Sequence, residues 1–400
     1  MKVLVISHMY PSTFSEIGGI FVHEQVKALV SKGIEVQVIS PVPWTPFPIN
    51  YLSSKWKKYS AIPEKMVYEG ISIWYPRYLT FPRSWFFASS GQRMYWGIKD
   101  VVSKIYQKYK FDLIQAHVAL PDGFAAVKLK QIYRKPIVVT IHGQDLYVAF
   151  YRNKSCKITL FNIFKKVDRI ILVSRKLKEI SDNNIGFTNK SAVISNGVAV
   201  SNILKGKNII LGESNLDSRI ILSVSYLITR KAIDFNLKAI AQLINKYPNL
   251  KYLIIGDGPE MKYLKELSKS LGIDKHVKFL GQLPHEKVLA YMAKADIFSL
   301  PSWNEAFGVV YIEAMAQGKP VIGCQGEGIE DFVEHGQTGL LVKPKDVDSL
   351  VEAMDYLLNN PDEARAMGQR ARKLVIENYT WEKNAEKTIN LYKEVLNSES

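Results

Sequence analysis

The sequence predicts an α/β protein made of two doubly wound, Rossmann-like domains that face each other across a cleft. Its 400 residues exceed the size at which one hydrophobic core usually stops growing. Short β-branched runs alternate with helical patterns, as in βα units on a parallel sheet. The alternation breaks at the polar stretch 196–218, and we predict domains over 1–200 and 201–380.

The elements follow one another in a regular order in both halves. The first half offers strands 3–7, 35–40, 112–117, 136–142, 169–174 and 191–195, with clear helical patterns over 21–33 and 122–132. The second half offers strands 219–225, 251–256, 277–281, 296–300 and 319–323, with helices 233–246, 260–271, 285–293 and 308–317. An amphipathic helix over about 381–398 comes too late for the second sheet, and we expect it to pack on the first domain.

The composition predicts a globular protein of the cytoplasm. It is 47% apolar and 23% charged, and no run is long and apolar enough for a spanning helix. The N-terminal MKVLVISHMYP predicts a strand rather than a signal peptide. Cys156 and Cys324 form no disulfide framework, which fits a reducing compartment.

The positive charge is concentrated in the first half of the chain. Residues 1–200 contain 28 basic and 12 acidic side chains, a balance of +16, whereas residues 201–400 contain 25 and 26, a balance of −1. Within 51–100, eight basic residues face three acids among many aromatics. This pattern indicates a surface for anionic lipid or nucleic acid, or alternatively a solvated positive face over buried aromatics. The residues expected to meet acceptor or membrane are Lys55, Lys57, Lys58, Arg77 and Arg83.

The sequence lacks the motifs typical of nucleotide triphosphate hydrolysis, dinucleotide binding and metal binding. There is no phosphate-binding loop ending in GKS or GKT, and no GxGxxG turn follows the first strand. The seven histidines have no HExxH or CxxC companions, so we expect neither a metal nor another cofactor. A cleft without metal must neutralise phosphate with cations and backbone amides, and Arg230 and Lys231 lie just past a strand end, in a suitable loop.

The segment EAFGVVYIE places Glu305 in a loop at a helix entrance and Glu313 eight residues later. Eight helical residues span roughly 12 Å, about the reach from a sugar to a ribose across a diphosphate. The N–H groups near Phe307, Gly308 and Val309 suit a diphosphate, which the glycine allows to come close. The alternative is one glutamate near a helix dipole and another on a solvated face.

The segment PSWNEAFGVVYIEAMAQGKPVIG resembles the signature of the retaining glycosyltransferase family 4, whose E-x7-E element lies in the C-terminal domain of a GT-B fold. Further matches extend the resemblance over nearly the full chain, and the sequence is similar to bacterial enzymes of surface-polysaccharide assembly of the teichuronic-acid type. The matching segments are GGIFVHEQVKALVSKG (18–33), TIHGQDL (140–146), IIGDGPE (254–260), FLGQL (279–283) and GEGIEDFVEHGQTGLLVKPKD (326–346).

The resemblance implies a role for each matching residue. His142 and Glu305 would meet the transferred sugar, and Glu313 would hold the ribose hydroxyls. The remaining residues implied at the nucleotide sugar are Gly19, Arg230, Lys231, Gly256, Leu283, Phe307, Gly308 and Val309. One departure stands out, because Tyr226 occupies the usual position of a phosphate-binding arginine and supplies no charge. Either Arg230 compensates, or the diphosphate is bound with one cation fewer.

The resemblance implies transfer of a sugar from a nucleotide diphosphate sugar with retention, by a front-face mechanism in which the leaving phosphate takes the acceptor's proton. We expect a glycan or lipid-linked acceptor, an anionic membrane surface at the inner face of the plasma membrane, and no nucleic acid as partner. Two alternatives remain. A sugar-nucleotide 2-epimerase of the same fold would act without an acceptor, and a nucleic-acid-binding protein would bind oligonucleotides in a salt-sensitive way.

Overall fold

The computed structural model describes residues 1–15, 17–201, 203 and 218–398. The chain divides into two compact units, and each has an α/β architecture with a largely parallel sheet, as predicted. The N-terminal unit comprises Met1–Asn196 and Trp381–Ser400, and the C-terminal unit comprises Gly197–Thr380. Most of the predicted linker, 196–218, lies outside the described residues.

The N-terminal unit is built on an eight-stranded sheet, and it also contains a two-stranded sheet of β3 and β6. Its strands are β1 (Lys2–Ile6), β2 (Glu35–Ile39), β3 (Val42–Pro43), β4 (Lys65–Tyr68), β5 (Ile71–Trp74), β6 (Arg77–Tyr78), β7 (Leu113–His117), β8 (Ile137–Ile141), β9 (Arg169–Leu172) and β10 (Ser191–Val193). The order in the large sheet is β10-β9-β8-β7-β1-β2-β5-β4, with only β4 and β5 antiparallel.

The helices of this unit are α1 (Ile20–Ser31), α2 (Ser54–Ser60), α3 (Ser90–Lys108), α4 (Phe124–Tyr133), α5 (Phe150–Arg152), α6 (Lys154–Lys166) and α7 (Arg175–Asn184). Strands β7 and β8 are buried along their whole length. Such continuous apolar runs are typical of parallel strands that are covered on both faces of the sheet.

The C-terminal unit has a six-stranded parallel sheet in the order β13-β12-β11-β14-β15-β16. Its strands are β11 (Arg219–Val224), β12 (Leu250–Ile255), β13 (Val277–Gly281), β14 (Ile297–Ser299), β15 (Val321–Cys324) and β16 (Gly339–Val342). Its helices are α8 (Ile233–Leu243), α9 (Met261–Ser270), α10 (His285–Lys294), α11 (Val309–Ala316), α12 (Val347–Asn359) and α13 (Pro361–Asn378).

The direction of strand addition reverses once in each large sheet. From β1 the chain first builds outward through β2 and β5, and it then builds in the other direction from β7; the C-terminal sheet does the same from β11 and β14. In open α/β sheets the loops diverge at such a point and leave a crevice at the carboxyl ends of the strands. The loops after β1 and β7, and those after β11 and β14, are therefore the structurally favoured ligand sites.

The last helix, α14 (Trp381–Asn397), groups with the N-terminal unit. A buried chain of polar side chains connects it to the sheet. Gln25 in α1 donates to Asn384 in α14 at 2.7 Å and accepts from Gln115 in β7 at 3.2 Å. The hydroxyl of Tyr392 donates to Gln115 in turn. Because these groups are buried and paired, they fix the position of α14.

A second buried network connects three strands of the C-terminal sheet to α8. The Nδ2 group of Asn236 contacts the Ser223 hydroxyl and the Tyr252 hydroxyl, each at 3.0 Å, and the Ser299 carbonyl at 3.1 Å. The hydroxyl of Ser299 donates back to Oδ1 of Asn236 at 2.8 Å. Asn236 is fully buried, so no water can replace these bonds when one is removed.

Replacing Asn236 by alanine removes this hub and leaves several buried polar groups unpaired. At about 1–3 kcal/mol for each unsatisfied group, we expect a loss of about 3 kcal/mol or more of unfolding free energy. Urea unfolding followed by tryptophan fluorescence measures the change. Asn378→Ala is the matched control, because Asn378 is exposed at the end of α13 and its amide bonds only a helix carbonyl. Equal stability of the two variants would contradict the role of the network.

Candidate active site

The favoured edge of the C-terminal sheet holds the first predicted pair of functional residues. Lys231 ends a short helical turn, Thr229–Lys231, after β11, and Glu305 lies in the loop after β14. Their Nζ and Oε2 atoms are 2.5 Å apart, and the two side chains are only 13% and 11% exposed. The structure therefore joins two residues that are 74 positions apart, at the crevice between diverging loops.

The carboxylate and the backbone of Glu305 are both held in place. The Ser302 hydroxyl donates to the same Oε2 atom at 3.0 Å. The backbone N–H of Glu305 donates to the Glu327 carboxylate at 2.9 Å, and its carbonyl accepts from the N–H of Gly328 at 3.0 Å. This N–H is therefore engaged, and the amides available for a ligand begin after Glu305. Glu327 and Ser302 are site residues that sequence reasoning missed, although GEG and PSW belong to matching segments.

Backbone N–H groups at the start of α11 follow Glu305 closely in the sequence. Gly308 precedes the helix with φ 85°, and a Cβ there would lie 2.5 Å from the Tyr311 ring. Both facts require glycine. Among the described hydrogen bonds, none engages the N–H of Phe307, Gly308 or Val309. The Phe307 side chain is buried against Phe332, so this residue can offer a ligand only its backbone.

The loops after β11 and β12 are packed closely against each other at this edge of the sheet. A Cβ on Gly256 would lie 1.8 Å from the Ser225 carbonyl oxygen, so the glycine is required by packing against the loop after β11. Tyr226 in that loop is 64% exposed. The guanidinium of Arg230 donates to the Asn304 carbonyl at 3.3 Å, and among the described residues it forms no ion pair with a carboxylate. Arg230 therefore keeps its positive charge uncompensated next to Lys231.

The second glutamate of the motif is held by a histidine. Glu313 lies in α11, and its Oε1 atom is 2.7 Å from Nε2 of His285, the first residue of α10. Leu283 lies just before that helix and is half-buried. His285 was not predicted as a site residue, and its position after FLGQLP was the available signal. The pair fixes one carboxylate oxygen of Glu313.

In the N-terminal unit, His142 follows β8 and stacks on His117 at the end of β7. The rings are 5.3 Å apart with a 9° angle between their planes, and Nδ1 of His117 lies 3.0 Å from Nε2 of His142. Burial lowers the pKa of His142 to about 3 and that of His117 well below its usual value, so both rings are neutral. Nδ1 of His142 is buried and has no partner among the described atoms.

Gly19 lies in the loop between β1 and α1, where a Cβ would meet the Met9 carbonyl at 2.3 Å. Its φ of 71° likewise requires glycine. The loop backbone can therefore approach a ligand without a side chain between them.

The predicted basic surface is only partly present. Lys55, Lys57 and Lys58 are exposed in α2, and Arg83 is exposed in a later loop. Arg77 differs, because its side chain is half-buried and its guanidinium donates to the Ile62 carbonyl. We therefore exclude Arg77 from the accessible basic surface.

Neither a metal-binding cluster nor a membrane-spanning helix is found among the described residues. No three His, Cys, Asp or Glu side chains there are grouped so that they could hold a metal ion. Within the same residues, every helix is too short or too polar to span a bilayer.

Comparison with known proteins gives consistent matches over both units. Residues 18–202 match the model of "Glycosyltransferase Family 4", and residues 208–374 match "Glycosyl transferases group 1". TuaC of Bacillus subtilis, named for a glycosyltransferase role in teichuronic acid biosynthesis, is 31% identical over 88% of each chain.

Solved structures show the same fold at lower sequence identity. Sucrose-phosphate synthase from Thermosynechococcus elongatus superimposes with a TM-score of 0.81 at 22% identity and covers 100% of both chains. The Anabaena protein Alr3699/HepE, solved in complex with UDP and glucose, gives a TM-score of 0.73 at 20% identity over 98% of this chain and 100% of that one.

The short contact between Lys231 and Glu305 predicts a measurable coupling. Because both side chains are mostly buried, removal of either partner leaves the other charge without its counterion. In a double-mutant cycle with Lys231→Met and Glu305→Gln, we expect a coupling of about 1–3 kcal/mol in urea unfolding. The control cycle uses Lys262 and Glu266, which are 88% and 66% exposed, and should give below about 0.5 kcal/mol. Similar couplings in both cycles would contradict the interpretation.

Proposed function

The chain belongs to glycosyltransferase family 4, and we propose that it transfers a sugar from a nucleotide diphosphate sugar to a lipid-linked glycan, with retention and without a metal ion. The observation that carries this proposal is the Lys231–Glu305 pair at the favoured edge of the C-terminal sheet, followed by the N–H groups before α11. Cations and backbone amides at a helix start are the groups that stabilise a diphosphate.

The charge balance supports a diphosphate as the ligand. Glu305 already compensates Lys231, so a diphosphate needs additional positive charge. Arg230 supplies it, since its guanidinium is beside Lys231 in the chain and bonds only a carbonyl among the described groups. Tyr226 can offer one hydrogen bond but no charge. We therefore assign the compensating role to Arg230 and expect the negative charge of the leaving β-phosphate to be stabilised by Lys231, Arg230 and the amides after Glu305.

We assign the remaining candidate residues to the other parts of the donor. Glu313, fixed by His285, would accept hydrogen bonds from the two ribose hydroxyls, with Leu283 against the base. Glu305 would contact the sugar near its anomeric carbon. His142 is neutral because of burial, so its contribution to the sugar is a hydrogen bond rather than a charge. The complex of Alr3699/HepE with UDP and glucose makes UDP-sugars the first donors to test.

A donor that binds this site should stabilise the folded protein by mass action. At a concentration of 100 times its Kd, the gain is about 2.7 kcal/mol. A thermal-shift screen of UDP-, GDP- and ADP-sugars identifies the donor, and we expect Lys231→Met to abolish most of the shift while Lys262→Met leaves it intact. Transfer from that donor to a bacterial lipid extract should continue in EDTA, and NMR coupling constants of the product should show the donor's anomeric configuration. A β-linked product from an α-linked donor would contradict retention.

The acceptor side of the proposal rests on exposed apolar and basic groups in the N-terminal unit. Strands β3 and β6 pair in parallel, so the segments that leave them start from the same edge. Both segments expose large apolar side chains, and Phe47, for example, is 81% exposed. The exposed residues are Trp44, Phe47, Ile49, Tyr51 and Leu52 after β3, and Leu79, Trp85 and Phe86 after β6.

Lysines follow the first of these segments directly. The exposed lysines of α2 are Lys55, Lys57 and Lys58. The first of them lies three residues after the exposed Leu52. Apolar side chains next to lysines favour binding at the surface of an anionic bilayer. We therefore propose peripheral association with an anionic membrane at the cytoplasmic face, where a lipid-linked acceptor of a surface polysaccharide would be located. The name of the Bacillus subtilis relative is in line with such an acceptor.

Vesicle flotation separates the electrostatic and apolar parts of this binding. Each lysine near an anionic surface contributes about 1 kcal/mol, so replacing Lys55, Lys57 and Lys58 by glutamine should weaken binding to phosphatidylglycerol vesicles roughly 100-fold at low salt. The same changes at the exposed Lys262, Lys269 and Lys275 serve as the control.

Replacing Phe47 and Leu52 by serine should weaken binding at every salt concentration, because burial of apolar surface does not depend on ionic screening. Wild-type binding that ignores both anionic lipid content and salt would overturn the electrostatic part of the proposal.

A further inference from the structure

The outer face of α6 combines lysines with large apolar side chains. The inner face of this helix is buried in the N-terminal unit and consists of Cys156, Leu160, Ile163 and Phe164. Five exposed side chains at the spacing i, i+3, i+4, i+7 and i+11 share one face, because a helix turns once in about 3.6 residues. These five residues, which we call the α6 stripe, are Lys154, Lys157, Ile158, Phe161 and Lys165.

The apolar members of the α6 stripe are well exposed. Ile158 is 50% and Phe161 is 46% exposed. In the segment directly before α6, Val148 and Tyr151 are 52% and 67% exposed. Apolar side chains that lie together on an exposed face gain free energy when a partner removes them from water. Their grouping therefore indicates an interaction surface.

The charge on this surface has only one sign. The sequence 146–167 contains no Asp or Glu, and its five basic residues are Arg152, Lys154, Lys157, Lys165 and Lys166. Among the described residues, the lysines of the α6 stripe form no ion pair. A solvated surface helix commonly pairs a lysine with an acid one turn away, as Lys262 and Glu266 do in α9. The α6 stripe has no such acid to balance it.

The segments packed most closely on α6 do not supply this acid either. Their acidic residues are Asp122 and Asp145, and both are buried. The positive charge of the α6 stripe is therefore available to an anionic partner.

The start of α6 is attached to the loop after β6, which belongs to the proposed membrane surface. The guanidinium of Arg152, in α5, donates to the carbonyls of Arg83 and Ser84 at 3.0 and 3.1 Å. The same loop exposes Trp85 and Phe86. The apolar loop and the start of α6 are therefore neighbouring parts of one surface of the N-terminal unit.

Charge and residue type favour an anionic bilayer over two other occupants. A second copy of this chain, docked on the α6 stripe by twofold symmetry, would place lysines against lysines. Nucleic acid is bound through stacked aromatic rings and arginine, whereas an aliphatic side chain, Ile158, lies near the middle of the stripe. A bilayer accommodates both parts, because apolar side chains enter the acyl boundary while lysine stems extend to keep their ammonium groups among the headgroups.

We propose that α6 lies in the plane of an anionic bilayer, with Ile158 and Phe161 at the acyl boundary and the lysines of the α6 stripe among phosphate headgroups. This inference rests on the membrane association in the proposed function, and it assigns a contact separate from the lysines of α2. A helix of 13 residues lying flat on the surface restricts the tilt of the N-terminal unit, which a single exposed loop does not.

Site-directed labelling tests this contact in the full-length protein. Both native cysteines are buried, so a bimane label reacts at one introduced cysteine. On phosphatidylglycerol vesicles with doxyl groups on the acyl chains, the label on Phe161→Cys should be strongly quenched. Tyr263→Cys is the matched control, because Tyr263 is also 46% exposed but lies in α9 of the other unit. Equal quenching at the two positions, or none at position 161 in protein that floats with the vesicles, would overturn the proposal.

Vesicle flotation measures the energetic part of the contact. Glutamine at all three lysines of the α6 stripe should weaken binding to phosphatidylglycerol vesicles roughly 100-fold at low salt, since each contributes about tenfold. The control variant carries glutamine at three exposed lysines of α9, Lys262, Lys265 and Lys269. Serine at Ile158 and Phe161 should weaken binding about tenfold or more at every salt concentration. All variants should keep the wild-type melting temperature and the donor-induced thermal shift.

The outcomes separate this contact from the proposed function. Wild-type vesicle binding by both α6 variants would reject the role of α6 and leave association through α2 in place. Failure of the wild type to bind vesicles would reject both membrane contacts, while the donor-induced shift and sugar transfer would still test the enzyme activity. Oligonucleotide binding or dimerisation that is lost in the lysine variant, with vesicle binding unchanged, would assign the α6 stripe to another partner and overturn the proposal.

Discussion

The reversal of strand order in each sheet is the constraint on which the functional geometry depends. Where the chain builds outward in two directions from one central strand, no crossover helix covers the carboxyl ends of the two innermost strands. Polar groups that lie there must be satisfied by side chains from the two loops. Both sheets have the same arrangement. A basic side chain follows β1 or β11, and an acidic side chain follows the neighbouring strand, β7 or β14. The pairs are His8 with Asp122 and Lys231 with Glu305.

The two pairs occupy equivalent places but have different chemistry. Lys231 presents an ammonium group with three hydrogen-bond donors, which suits an anion such as a phosphate. His8 presents an imidazole instead, and its partner Asp122 is completely buried. One fold, used twice, thus holds an imidazole–carboxylate pair in one sheet and an ammonium–carboxylate pair in the other.

Local sequence patterns predicted many of the strands and helices. They missed contacts between residues that are far apart in the sequence. The β-branched runs identified the buried parallel strands, and EAFGVVYIE identified the helix start. The antiparallel hairpin β4–β5 was missed because the segment 51–100 was interpreted by composition, although Glu69-Gly70, both with positive φ, mark its turn. No local pattern shows that Glu327 engages the N–H of Glu305, or that His8 meets Asp122 from 114 positions away. Such contacts depend on strand order, which a single sequence does not specify.

The histidine pair in the N-terminal unit shows how burial limits the available mechanisms. Because His142 and His117 are both neutral, they share one hydrogen bond, and either ring can be its donor. Whichever tautomer forms, one of the two outer nitrogens, Nδ1 of His142 or Nε2 of His117, carries a hydrogen and the other a lone pair, and both are buried without a described partner. Unpaired buried groups of this kind cost about 1–3 kcal/mol each. Under the proposed function, a sugar hydroxyl, which can donate or accept, would satisfy Nδ1 of His142 in either tautomer and recover that free energy on binding, with no need for a charged imidazole.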